Sequence, residues 1–119
     1  MRAVADEKVE IVRSVSSGVV GRARNTTRDA ALVLDSSSRP QADAFTNSEA
    51  FLAGVSSCGV TLIEMHAQET GVPLARMTAT IEGVRVPPEP RFSRVTMRFE
   101  LVGVTQAQAE ELVETYRRR

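Results

Sequence analysis

The sequence predicts an α+β domain in which antiparallel strands segregate from two helices. Three observations carry this. Apolar residues alternate with polar ones, or run briefly together, over five short stretches, the pattern of strands. Two other stretches, opening at Thr46 and at Thr105, keep helical spacing instead. The resulting order, β-β-β-α-β-β-α, lacks the strand–helix–strand repetition of a parallel α/β fold. At 119 residues and 13.0 kDa the chain has the size of one domain, read here as 1–119.

Each element has its own signal. Positions 8–16 (KVEIVRSVS) alternate, and Ser16-Ser17-Gly18 turns the chain back into a strand from Val19 to Asn25, a hairpin. Ala30 to Leu34 is a third apolar run, closed by Asp35-Ser36-Ser37-Ser38-Arg39-Pro40 and a loop to Phe45. Thr46-Asn47-Ser48-Glu49 starts a helix, with a small polar cap and an acid in the first turn. It ends near Thr70, before Gly71-Val72-Pro73. At ~1.5 Å per residue this helix is about 34 Å long, the width of a small domain, so it is the central one. Arg76–Val86 and Phe92–Val102 alternate on either side of Pro87-Pro88-Glu89-Pro90 and form a long antiparallel hairpin. Gly103 ends it, and Thr105 caps a last helix with Gln108 three residues on, a capping-box pattern.

Composition removes several function classes. Fifteen basic and fifteen acidic residues cancel, so no net field draws nucleic acid or an anionic membrane. Fourteen of the basic residues are Arg, which keeps its charge and pairs bidentately with acids. The longest uncharged run, Ala50 to Ile63, has 14 residues and much Gly and Ser, short of the ~20 a bilayer needs. One cysteine and one histidine leave no multi-Cys zinc site and no disulfide framework. No metal or cofactor is expected. The chain opens without a basic-then-apolar leader, which points to a reducing cytoplasm where a lone thiol stays a thiol.

Chemistry concentrates on the central helix. Phe51, Leu52, Val55, Leu62 and Met65 define its apolar face, with Cys58 on or beside it. Gly54 and Gly59 interrupt the middle, each costing about 1 kcal/mol against Ala. That loss is accepted where another helix approaches closely, here expected across a dimer; the plainer reading is that the small residues pack under the sheet. A free cysteine is by default a small buried hydrophobe. Two features favour a reactive thiol instead: Glu49 lies nine positions upstream on the same helix, and Arg22, Arg24 and Arg28 cluster in the preceding strands. An Arg beside a thiol lowers its pKa and supplies the thiolate.

Thr46 to Val60 (TNSEAFLAGVSSCGV) resembles the central helix of the osmotically inducible protein C / organic hydroperoxide resistance (OsmC/Ohr) family. The resemblance continues through 71–83 (GVPLARMTATIEG) and 91–113 (RFSRVTMRFELVGVTQAQAEELV). It implies an intertwined homodimer whose central helices pack together, and a thiol-dependent peroxidase acting on small hydrophobic hydroperoxides. In such a protein an Arg polarises the thiolate, a Glu holds the Arg, and a second Cys resolves the oxidised thiol. Cys58 matches the peroxidatic position. Glu49 matches the acid, although the hydroperoxide branch places its Glu ten residues before the Cys, where Ser48 stands. The Arg is Arg24 or Arg22. The family's Cys-Pro segment after the last helix and the Gly-Gly pair before the central one are both missing from the sequence, which closes on Tyr116-Arg117-Arg118-Arg119. An external thiol is therefore expected as the resolving partner.

The remaining residues read as structural. His66 is eight residues from Cys58, about 12 Å along the axis and too far for a hydrogen bond. Glu64 and Glu69 are solvated, and the terminal arginines complement the last helix's dipole. Two function classes follow: a peroxide-detoxifying enzyme of oxidative stress, or an altered, non-catalytic dimeric binding module whose thiol is structural or sensory. Neither involves nucleic acid or a membrane. A thiol titrating near 8.5 or above selects the second.

Overall fold

A computed structural model describes residues 6–118. The elements are β1 (Arg13–Ser16), β2 (Arg22–Thr27), β3 (Ala30–Asp35), α1 (Asn47–Thr70), β4 (Arg76–Val84), β5 (Arg94–Val102) and α2 (Gln106–Arg117). This is the predicted α+β order, with two antiparallel sheets, β1-β2-β3 and β4-β5. The chain divides into two compact units, residues 1–50 and 51–119.

The first unit is the three-stranded sheet with the loop that leads into α1. Register opposes Val15 to Arg24 across β1–β2, and Arg22 to Asp35 across β2–β3. β1 is shorter than the sequence pattern suggests, because its pairing begins only at Arg13, opposite Thr26. Upstream, Thr27 Oγ1 donates to Ile11 O at 2.8 Å, one side-chain bond in place of a ladder. The returning strand likewise starts at Arg22 and not Val19, since Val19 O accepts from Arg22 N and closes a turn. A single parallel bridge, Leu34 to Phe45, ties the end of the loop to β3.

The second unit packs most of α1 with α2 against one face of the β4–β5 hairpin. Its centre is Ile63, Ala67 and Leu112, with Leu74, Met77, Phe99, Leu101 and Tyr116 around them. Alternation along β4 puts Met77, Ala79 and Ile81 on the covered face and Thr78, Thr80 and Glu82 in solvent, as half-buried strands require. The α2 start is the predicted capping box: Gln108 N donates to Thr105 Oγ1 at 3.1 Å, and Thr105 N to Gln108 Oε1 at 3.0 Å. Arg117 lies against Glu114 at 3.5 Å, Arg118 caps the helix, and Arg119 is outside the described residues.

Two expectations about α1 need correction. Its buried face is Gly59, Ile63 and Ala67, not the stripe of larger side chains. Phe51 and Met65 are 60% and 51% exposed, while Leu52, Val55 and Leu62 are half-buried. The cause is Gly59: a Cβ there would stand 3.1 Å from Met97 Cε and 3.3 Å from the Tyr116 ring. The missing side chain lets β5 and α2 come in on that face, and the face they cover becomes the inner one. The helix as a whole is also long and apolar enough to cross a membrane by length and composition, which the shorter uncharged run within it did not suggest.

Candidate thiol site

The first turn of α1 is locked locally. Glu49 N donates to Thr46 Oγ1 at 3.1 Å and Thr46 N donates to Glu49 Oε1 at 2.9 Å, a second capping box. Glu49 is thus an exposed helix-start residue whose carboxylate is engaged by its own cap. Ser48 beside it is half-buried.

Cys58 is exposed, in the middle of the same helix. Its orientation follows from its neighbour. Successive helical residues turn by about 100°, so the burial of Gly59 rotates Cys58 away from the second unit's core. Gly54, one turn before, is also exposed, and a Cβ there would meet nothing within 4 Å. The thiol therefore lies on an open helix face whose angular position is fixed from behind, by Met97 and Tyr116 against the Gly59 backbone. Tyr116 is itself held by an edge-on contact with Phe99, ring centroids 5.8 Å apart.

The two candidate arginines differ sharply. Both lie on one face of β2, being two residues apart. Arg24 is exposed between Val15 and Val33, and pairs with no acid among the described residues. Arg22 Nε donates to Asp35 Oδ2 at 2.8 Å, with the Arg22 side chain 26% exposed and that of Asp35 0%. Asp35 also accepts from Gln41 N at 2.9 Å and Ser37 N at 3.0 Å. The Ser37 side chain is the largest influence lowering that carboxyl, although its buried hydroxyl meets no partner at good hydrogen-bond geometry. The Gln41 and Ser37 N–H groups and Arg22 add to it and overcome the opposing effect of burial, leaving Asp35 well below the usual carboxylate range.

Asp35 is the residue that sequence reasoning missed. It stood at the end of a strand before a Ser-rich run and read as loop. The available signal was the hairpin register, which sets Arg22 opposite it. His66 is half-buried with Nδ1 enclosed and unpartnered, beside a depression of about 250 Å³ lined also by Thr70, Gln108 and Glu111. Among the described residues no three His, Cys, Asp or Glu side chains group to hold a metal.

Residues 40–119 match the family model described as OsmC-like protein. The chain belongs to the OsmC-like family. Its fold is that of solved OsmC-like structures. An OsmC-like protein from Mycoplasma pneumoniae superposes with a TM-score of 0.82 at 15% identity, covering 96% of this chain and 84% of that one. An organic hydroperoxide resistance protein from Legionella pneumophila gives 0.71 at 20% identity, with 93% and 83% covered. The organic hydroperoxide resistance protein OhrB of Bacillus subtilis gives 0.64 at 17% identity, with 93% and 84% covered. No curated protein is a significant match to the sequence. Two of these neighbours are named as organic hydroperoxide resistance proteins, and at such identities the likeness is one of fold.

Proposed function

We propose that this OsmC-like protein reduces organic hydroperoxides through Cys58, working as a cytoplasmic homodimer with an external thiol as reductant. The observation that carries the reading is the exposed Cys58 on a helix face fixed by Gly59, in a family whose solved members include organic hydroperoxide resistance proteins. The thiolate sulfur attacks one oxygen of the O–O bond, which breaks. Cys58 becomes a sulfenic acid, and the departing alkoxide takes a proton from water and leaves as the alcohol. An arginine beside the sulfur, which the family resemblance implies, favours the thiolate over the thiol. The external thiol then condenses with the sulfenic acid, releasing water, and a second thiol returns Cys58 to its starting state.

Exposed apolar surface supports the dimer. Phe51 and Met65 lie open on α1, and Ile11 and Leu32 are 73% and 56% exposed in the first unit. Among the described residues, that unit's only fully buried side chain is the Asp35 carboxylate, so its apolar residues find no core within it. Surface of this kind is characteristically covered by a partner, and a second copy is the simplest one.

The test is consumption of cumene hydroperoxide and of hydrogen peroxide by purified protein with several mono- and dithiol reductants. Turnover that prefers the organic peroxide and vanishes in Cys58→Ser supports the reading. No turnover with any pairing, or turnover unchanged in Cys58→Ser, refutes it. Light scattering should give twice the monomer mass at micromolar concentration, and Gly54→Leu should lower it; a wild-type monomer refutes the assembly.

A further inference from the structure

We propose that the groove between the outer edge of β5 and α2 takes up a short extended segment of another protein as an added strand. That segment alternates apolar with basic residues. The groove lies wholly within the second unit and does not involve Cys58, so the proposal stands apart from the thiol chemistry.

The turn out of β5 builds the groove. Only Gly103 to Thr105 separate β5 from α2. Gly103 has φ +95, and a Cβ there would stand 2.8 Å from Pro73 O, so the turn is one that glycine alone permits. The helix returns along the strand it follows, with Tyr116 edge-on to Phe99. Beside them lies an open depression of about 700 Å³. It touches Phe99, Glu100, Leu101 and Val102 in succession and, among the described residues, none of β4. Successive strand residues face opposite sides of a sheet, so a depression that meets all four lies at the strand's edge. β4 covers one edge of β5, and among the described residues no strand pairs with the other. That edge presents unpaired N–H and C=O groups, a template for one more strand.

The lining selects the kind of strand. Half-buried Phe99, Leu101, Ala109 and Val113 form the floor, which suits apolar side chains on the inward face of an added segment. Exposed acids stand on both walls, Glu100 on β5 and Glu110 and Glu114 on α2. Arg117, the cation of the lining, already lies against Glu114 at 3.5 Å. With three acids to one arginine the groove is acidic in a chain whose total charge is zero, and it favours Lys and Arg in its occupant. The first half of β5 carries Arg94 and Arg98, both exposed, which confines a basic segment to the half that lines the groove. Four strand residues span about 13 Å, so the segment is short.

The test is fluorescence anisotropy of a labelled Lys-Val-Lys-Val-Lys-Val peptide titrated with the full chain. Its controls are the same peptide with glutamate for lysine, and one N-methylated at alternate residues, which removes backbone donors. The lysine peptide should bind saturably and lose affinity with added salt. Both control peptides should bind at least about tenfold more weakly. Glu110→Lys/Glu114→Lys should weaken binding about tenfold, the scale of two reversed surface charge pairs. Ala109→Phe, which fills the floor, should abolish it. Each variant is checked for fold by circular dichroism, and if Ala109→Phe does not fold, the charge reversal and the N-methylated peptide decide. In hydrogen exchange the bound peptide should slow the amides of residues 99–102 and leave those of β4 unchanged.

No binding of the lysine peptide, or equal binding of the N-methylated or glutamate peptide, overturns the proposal. So does binding that neither variant weakens. Protection of residues 99–102 that grows with protein concentration alone would assign the groove to a second copy of this chain and overturn it equally.

Discussion

Thr46 and Glu49 hold the start of α1 reciprocally, each side chain accepting from the other's backbone N–H, at 2.9 and 3.1 Å. The two bonds are not equal in what their loss exposes. Removing the Thr46 hydroxyl strands a helix N–H, whereas Glu49→Gln keeps a carbonyl oxygen to accept from Thr46. Thr46→Ala should therefore cost about 1 kcal/mol, and Glu49→Gln a few tenths, from the weakened dipole interaction. Urea unfolding of the two variants checks the order; a larger loss for Glu49→Gln would assign its carboxylate a role beyond the cap.

Asp35 should make stability depend on acid pH. Its folded carboxyl titrates below its unfolded one, so its contribution is fully present above the unfolded value of about 3.9 and is lost as pH falls beneath it. Wild type should lose stability progressively below pH about 4. Asp35→Asn should be less stable at neutral pH and show a flatter slope through that range. Chemical denaturation at a series of pH values tests this, and parallel slopes for the two proteins would contradict it.

Gly59 and Gly54 should respond oppositely to a large side chain when folding alone is measured. At Gly59 a Cβ is already at 3.1 Å from Met97 and 3.3 Å from Tyr116. Ala there would combine a gain in helix propensity of about 1 kcal/mol with a shift of the flexible Met97, and should be nearly neutral. Leu has no room and should cost about 1–3 kcal/mol, as overpacking does. At Gly54 nothing lies within 4 Å, so Leu there should leave the unfolding of the second unit's core unchanged while acting on assembly. Thermal melts beside light scattering separate the two effects.

Local signals explain what was legible in the sequence. The Thr105–Gln108 box survives in the structure as read, and the polar cap and first-turn acid read at Thr46–Glu49 prove to be a second such box. The hairpin from Arg76 to Val102 was legible because its alternation matches a sheet with one covered face. The failures are non-local. Residues 8–12 alternate as a strand does, but no strand pairs with them among the described residues. The inner face of α1 was mistaken because large apolar residues were counted, while a glycine decided the packing. Asp35 drew no attention in the sequence because its partner, Arg22, is thirteen positions away and opposite it only once β2 and β3 pair.

Cys58 should be driven past sulfenic acid when no reductant is present. The first hydroperoxide gives Cys-SOH, which ordinarily condenses with a nearby thiol. A chain of 119 residues with one cysteine offers none of its own, so no intramolecular disulfide forms. Exposure of the side chain leaves the sulfenic acid open to a second hydroperoxide, whose oxygen adds to the same sulfur as its alcohol departs. Intact-mass spectra after excess organic hydroperoxide should therefore show two added oxygens, absent in Cys58→Ser. A small dithiol supplied beforehand should intercept the first stage: one thiol forms the mixed disulfide and the other releases Cys58, so the mass stays that of the reduced chain. Arg117→Ala should leave this oxidation unchanged, because Arg117 sits at the end of α2 against Glu114. An unmodified thiol after hydroperoxide alone, or a disulfide-linked pair of chains in place of the sulfinic acid, would decide against this course.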